Sequence, residues 1–132
     1  MRALALSLAL LAAPAFAAPV SPAGTWRNGS DSVRIRVAPC GRGLCGTVVS
    51  ASAKAKADAA AGGTDRLVGT QLFKDFRRSE DGAWEGTVFV PDLGREVEGT
   101  LELRSASTLV VSGCLMAGFA CKSQTWTRVK GR

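Results

Sequence analysis

Apolar and polar residues alternate along most of this chain. The pattern is plainest at Ser32–Val37, where Val33, Ile35 and Val37 interleave with Arg34 and Arg36. A period of two sends successive side chains to opposite faces, so this segment predicts a strand with one apolar and one charged face. Arg95–Leu103 repeats it: Val97, Leu101 and Leu103 alternate with Glu96, Glu98, Thr100 and Glu102. Gly99 falls on the apolar face there and predicts a bend or close packing. Turn residues recur at short intervals, at Pro39–Gly43, Glu80-Asp81-Gly82, Pro91-Asp92-Leu93-Gly94 and Ser105–Ser107. Together these signals predict eight short strands, at Gly24–Trp26, Ser32–Val37, Leu44–Ser50, Arg66–Phe73, Ala83–Val90, Arg95–Leu103, Thr108–Gly113 and Lys122–Val129. Ala51–Gly63 breaks the pattern. It is rich in alanine, carries Lys54, Lys56 and Asp58, ends in Gly62-Gly63, and reads either as a short helix or as a loop.

Short links favour antiparallel pairing of sequence neighbours. Eight strands joined in this way can close into an up-and-down barrel, which removes exposed edges and leaves room for side chains or one small ligand. The expected fold is therefore all-β, a single eight-stranded antiparallel barrel domain over residues 24–130, with an open β-sandwich as the alternative.

The beginning of the chain follows a different logic. Arg2 precedes an apolar run from Ala3 to Ala13 interrupted only by Ser7, and Ala15-Phe16-Ala17 places small residues where a signal peptidase reads them. The run is shorter than the ~20 residues a membrane-spanning helix needs. Residues 1–17 are thus expected to be a secretory signal peptide, cleaved after Ala17 or Ala18, with 18–23 a linker to the domain. The product would be periplasmic or secreted. Cleavage removes one arginine, and the formal charge of +6 for the 132-residue chain becomes +5.

An exported small domain with an even number of cysteines predicts disulfides. Cys40 and Cys45 flank Gly41-Arg42-Gly43, and Cys114 and Cys121 flank Met116-Ala117-Gly118, so the favoured pairs are Cys40–Cys45 and Cys114–Cys121. A four-thiolate metal site is disfavoured by the loose spacing and by the oxidising compartment.

The order of several short motifs resembles a known family. Cys40…Leu44-Cys45-Gly46, Trp84-Glu85-Gly86 followed by Pro91-Asp92-Leu93-Gly94, Gly113-Cys114 and Gln124-Thr125-Trp126-Thr127-Arg128 look like the exported bacterial proteins grouped as DUF2147, a domain of unknown function. The resemblance runs from about Gly24 to Val129. It implies a small, exported, mostly β protein and no assigned activity. The family often carries a tyrosine near the Pro-Asp turn; this chain has none. A second resemblance, of Gly24-x-Trp26 in the first strand with Arg128 in the last, is to lipocalin-like barrels. It implies that Arg128 lies over Trp26 and closes one barrel end.

Little in the composition points to catalysis. The chain has no histidine, which removes the usual neutral-pH proton shuttle and the commonest metal ligand. Paired cysteines leave no thiolate nucleophile. No metal or cofactor is expected. Asp75, Glu80, Asp81, Glu85, Asp92, Glu96, Glu98 and Glu102 supply carboxylates, but a hydrolase would need two of them facing one cleft. The outward alternation of Glu96, Glu98 and Glu102 predicts a solvated face instead. Basic residues are scattered, and only Arg77-Arg78 are adjacent, which suits a solvated surface or diffuse attraction to anionic envelope material rather than nucleic acid. Trp84, Phe89 and Trp126 remain as candidates to line a small apolar pocket. Gln124, Trp126 and Arg128 share a strand face, and Gln124 or Arg128 would hold an anionic head group if that face points inward. The expected function is binding of an apolar or amphipathic small ligand. The alternative is an envelope interaction protein without a pocket, using Ala51–Gly63 as its contact.

Overall fold

The computed structural model describes residue 5, residues 21–116 and residues 119–130. The expectations for residues 1–17 and for the turn at 117–118 lie outside the described residues, as do residues 18–20 of the linker. Eight antiparallel strands run in chain order: β1 (Gly24–Arg27), β2 (Val33–Cys40), β3 (Gly43–Ala51), β4 (Gln71–Arg78), β5 (Trp84–Val90), β6 (Arg95–Ser105), β7 (Thr108–Met116) and β8 (Phe119–Arg128). They form a closed barrel in which each strand pairs with its sequence neighbours and β8 returns to β1, with Trp26 opposite Arg128 and Arg27 opposite Thr127. The barrel forms, and the open sandwich does not.

The up-and-down path gives the barrel two unlike ends. The β2–β3, β4–β5 and β6–β7 turns share one end with Ser21–Ala23 and Arg128. The β1–β2, β3–β4, β5–β6 and β7–β8 connections share the other, here called the mouth. Cys40–Cys45 staples the β2–β3 hairpin at the first end, and Cys114–Cys121 joins directly opposed residues of β7 and β8 near the mouth.

Two segments differ from the alternation reading. Ala53–Ala61 is a helix, α1, capped by Ser52, whose side chain accepts from the Ala55 amide. Alanine is the strongest helix former, and serine at the N-cap satisfies an otherwise orphaned amide. The fourth strand begins at Gln71 rather than Arg66, after a turn in which the Thr70 amide donates to the Leu67 carbonyl, and runs on to Arg78, past the expected end at Phe73. A bulge explains the extension: Asp75 and Phe76 together face Gly86, with Asp75 at φ 50°. The extra residue resets the period, so Phe73 and Phe76, three positions apart, both point inward.

Glycines make space for these two rings. A Cβ on Gly46 would come 2.6 Å from Phe73, and one on Gly86 would come 2.8 Å from Phe76. Phe73 meets Phe76 edge-on at 5.9 Å and Trp126 edge-on at 5.8 Å. Trp26, Ile35, Phe76, Leu101 and Leu109 are wholly buried and complete the core of the closed half. Among the described residues no helix is long and apolar enough to cross a membrane.

Candidate functional site

The barrel is filled in one half and hollow in the other. Toward the mouth a cavity of about 940 Å³ opens above Phe73 and Trp126. Its walls are partly apolar, with Val33, Val88, Val97 and Val111 facing it from β2, β5, β6 and β7, and its rim is polar, with Asn28, Ser30, Ser32 and Ser52. Gly113 also lines it, so at that height β7 contributes no side chain to fill the space. On β8 the alternation that points Trp126 inward continues through Gln124 and Lys122. These lie opposite Val111 and Gly113 in the β7–β8 register, and both line the cavity. The wall thus grades from indole to amide to ammonium over four residues, a rise of about 13 Å toward the mouth. The Trp126 indole N–H has no hydrogen-bond partner among the described residues.

Helix α1 lies across part of the mouth and is tied down at both ends. The Ser52 amide donates to the Ser32 carbonyl at 2.8 Å, and Thr64 Oγ1 donates to the Pro91 carbonyl at 2.9 Å. Its inner face carries Ala55 and the wholly buried Ala59. Lys54 bonds Asp58 at 2.8 Å along the helix, and both line the rim with Asp92. The hydrogen bond that Lys54 donates to Asp58, then the charges of Asp58 and Asp92, hold Lys54 above the usual lysine range. Gly62 packs so closely on the Asp92 backbone that no Cβ fits between them. Gly62→Ala must therefore part α1 from the β5–β6 turn. The expected outcome is faster amide exchange over Ala55–Thr64 and a stability loss of about 1–3 kcal/mol, read by hydrogen exchange and chemical denaturation. Unchanged protection there would show that the contact does not hold the helix down.

The opposite end is sealed. Arg128 stacks on Trp26, its guanidinium carbon 4.3 Å from the ring centroid, a contact worth about 0.5–2 kcal/mol. Its nitrogens donate to the carbonyls of Ser21, Ala23 and Ala106 at 2.7, 2.7 and 2.6 Å. Trp26 Nε1 donates to the Pro22 carbonyl at 2.8 Å. Gly24 leaves the guanidinium its space: a Cβ there would lie 2.5 Å from an Arg128 nitrogen, and its φ of 137° suits glycine.

These positions separate the residues singled out in the sequence. Trp126, Gln124 and Phe89 line the cavity. Phe89 does so from the rim, half-buried, paired with Glu96, with Lys74 Nζ 5.4 Å from its ring centroid. Trp84 lies at the far end, in a separate hollow of about 300 Å³ with Pro22 and Arg78. Arg128 is committed to closing that same end and does not line the cavity, so the head-group role considered for it does not fit its position. Lys122 was missed, although period-two counting back from Trp126 and Gln124 would have reached it. Of the eight carboxylates, Asp92 alone lines the cavity, accompanied by Asp58 from α1. Glu96 instead bonds Lys74 at 2.6 Å, and Asp75 bonds Arg77 at 3.1 Å.

A family model described as "Uncharacterized protein conserved in bacteria (DUF2147)" matches residues 24–128. The chain belongs to this family. The DUF2147 match spans all eight strands, while Ser21–Ala23, whose carbonyls complete the sealed end, lie just before it. No curated protein matches the chain, and no solved structure does.

Proposed function

We propose that this DUF2147 protein is an exported binding protein that houses one apolar or amphipathic small molecule in the hollow half of its barrel. The cavity itself carries the reading. At about 940 Å³ it falls among ligand sites, which span roughly 300–1,000 Å³ and combine apolar walls with a few polar groups. Export is supported by the apolar leader pattern with Ala15-Phe16-Ala17 and by the two disulfides, which persist in oxidising compartments.

Native mass spectrometry of the gently purified protein is the direct test. The expected result is a one-to-one adduct that organic extraction removes and added dodecanol restores. Filling should also shift the emission of Trp126, since that indole lines the cavity whereas Trp26 and Trp84 lie toward the other end. A protein that carries nothing, and after extraction takes up no amphiphile, would refute the binding reading and favour the envelope-contact alternative.

A further inference from the structure

The polar part of the cavity is arranged with a direction. Trp126 and Phe73 form its inner end, Gln124 stands one inward position above Trp126 on β8, and Lys122 one above that, beside the mouth. Gly113 is the direct cross-strand partner of Lys122 and presents no side chain, and both residues line the cavity. The other lysine lining the cavity is already paired, Lys54 being held by Asp58 with Asp92 nearby. Lys122 forms no ion pair among the described residues. A cation that partly faces a low-dielectric hollow attracts an anion more strongly than one on an open surface. Gln124 adds two amide donors at the next level down.

From this we infer that the ligand is a single-chain amphiphile with an anionic head group, bound tail-first, its tail against Trp126 and Phe73 and its head between Lys122 and Gln124. The inference rests on the cavity-binding reading and adds the ligand's charge and orientation. Carboxylate, sulfate and phosphate heads share the required chemistry: a negative charge with several acceptor oxygens. A neutral chain would fill the same walls without engaging Lys122, and a cationic one would be repelled.

Isothermal titration of the extracted full-length mature protein with dodecanoate, dodecyl sulfate, dodecyl phosphate, dodecanol and dodecyltrimethylammonium tests this, with Lys122→Glu and Lys122→Arg alongside. Wild type is expected to bind the anions at least about tenfold more tightly than dodecanol, the size of one charge-assisted hydrogen bond. Lys122→Glu should erase that preference and leave dodecanol affinity unchanged, while Lys122→Arg should keep it. Lys122 is exposed, so both variants are expected to unfold at the wild-type temperature, which a thermal scan checks. The relative affinities of the three anions identify the head group. Equal binding of anionic and neutral chains, or indifference to Lys122→Glu, would overturn the inference while the cavity reading survives. Failure of every compound to bind would remove the cavity reading itself.

Discussion

Trp26→Ala is expected to cost about 3–5 kcal/mol of unfolding free energy, the range for truncating a large buried aromatic. Three losses coincide at this residue. The indole is wholly buried, so its removal leaves a void in the sealed end. Its N–H no longer satisfies the Pro22 carbonyl, and Arg128 loses the ring beneath its guanidinium. For a domain of this size the melting temperature should fall by more than about 10 °C. Arg128→Lys is a milder probe, since an ammonium cannot reproduce a planar fork that reaches three carbonyls and an indole face. A Trp26→Ala protein melting within a few degrees of wild type would show that the closed end is not what holds the barrel together. Because the hollow lies toward the other end, Arg128→Lys should leave ligand affinity unchanged, separating stability from binding.

Gly113→Leu is expected to weaken binding about 10- to 100-fold, the equivalent of a 1–3 kcal/mol overpacking penalty falling on the complex rather than on the fold. The backbone tolerates the change. Gly113 has no positive φ, and a Cβ there meets a Val97 methyl at 3.0 Å, which must give by a few tenths of an ångström, and the Glu98 carbonyl at an ordinary 3.7 Å. The rest of the leucine side chain would extend into the hollow, beside Val111 and across from Lys122. The free protein should be as stable as wild type or more so, since filling a cavity commonly adds about 0.5–2 kcal/mol. Titration with dodecanoate and a parallel denaturation curve give both numbers. Undiminished affinity in a correctly folded Gly113→Leu protein would place the bound molecule outside the barrel.

The contrast between these two positions explains how far the sequence could be read. Period-two alternation states which side of a strand a residue faces, and it located most strands and the inward face of β8. It does not state how high on the barrel a residue stands. That height depends on the closing register between β1 and β8, a pairing of residues about a hundred positions apart. Trp84 and Trp126 therefore look equivalent in the sequence, yet one borders the small hollow at the sealed end and the other the large one below the mouth. Arg128 and Lys122 lie on one strand but serve opposite ends. The extra residue at Asp75 disrupts the count, which is why β4 runs on past the expected end at Phe73 and takes in Phe76, while its late start follows from the Leu67–Thr70 turn with Gly69 at φ 94°. Helix α1 could be weighed from its alanines, but its seating depends on Gly62 meeting the Asp92 backbone, a fit that no local pattern encodes. The cysteine pairs were legible because each closes a short hairpin.

Concentrating the aromatic packing in one half has an evolutionary consequence. The largest buried side chains, Trp26, Phe73 and Phe76, lie in that half, whereas Val33, Val88 and Val97 beyond them are only partly buried. On the proposed binding role, substitutions at those wall positions would change what fits the hollow while leaving the buried aromatics untouched. If the hollow holds a ligand as proposed, a scaffold partitioned in this way would let the cargo change while the foundation stays fixed.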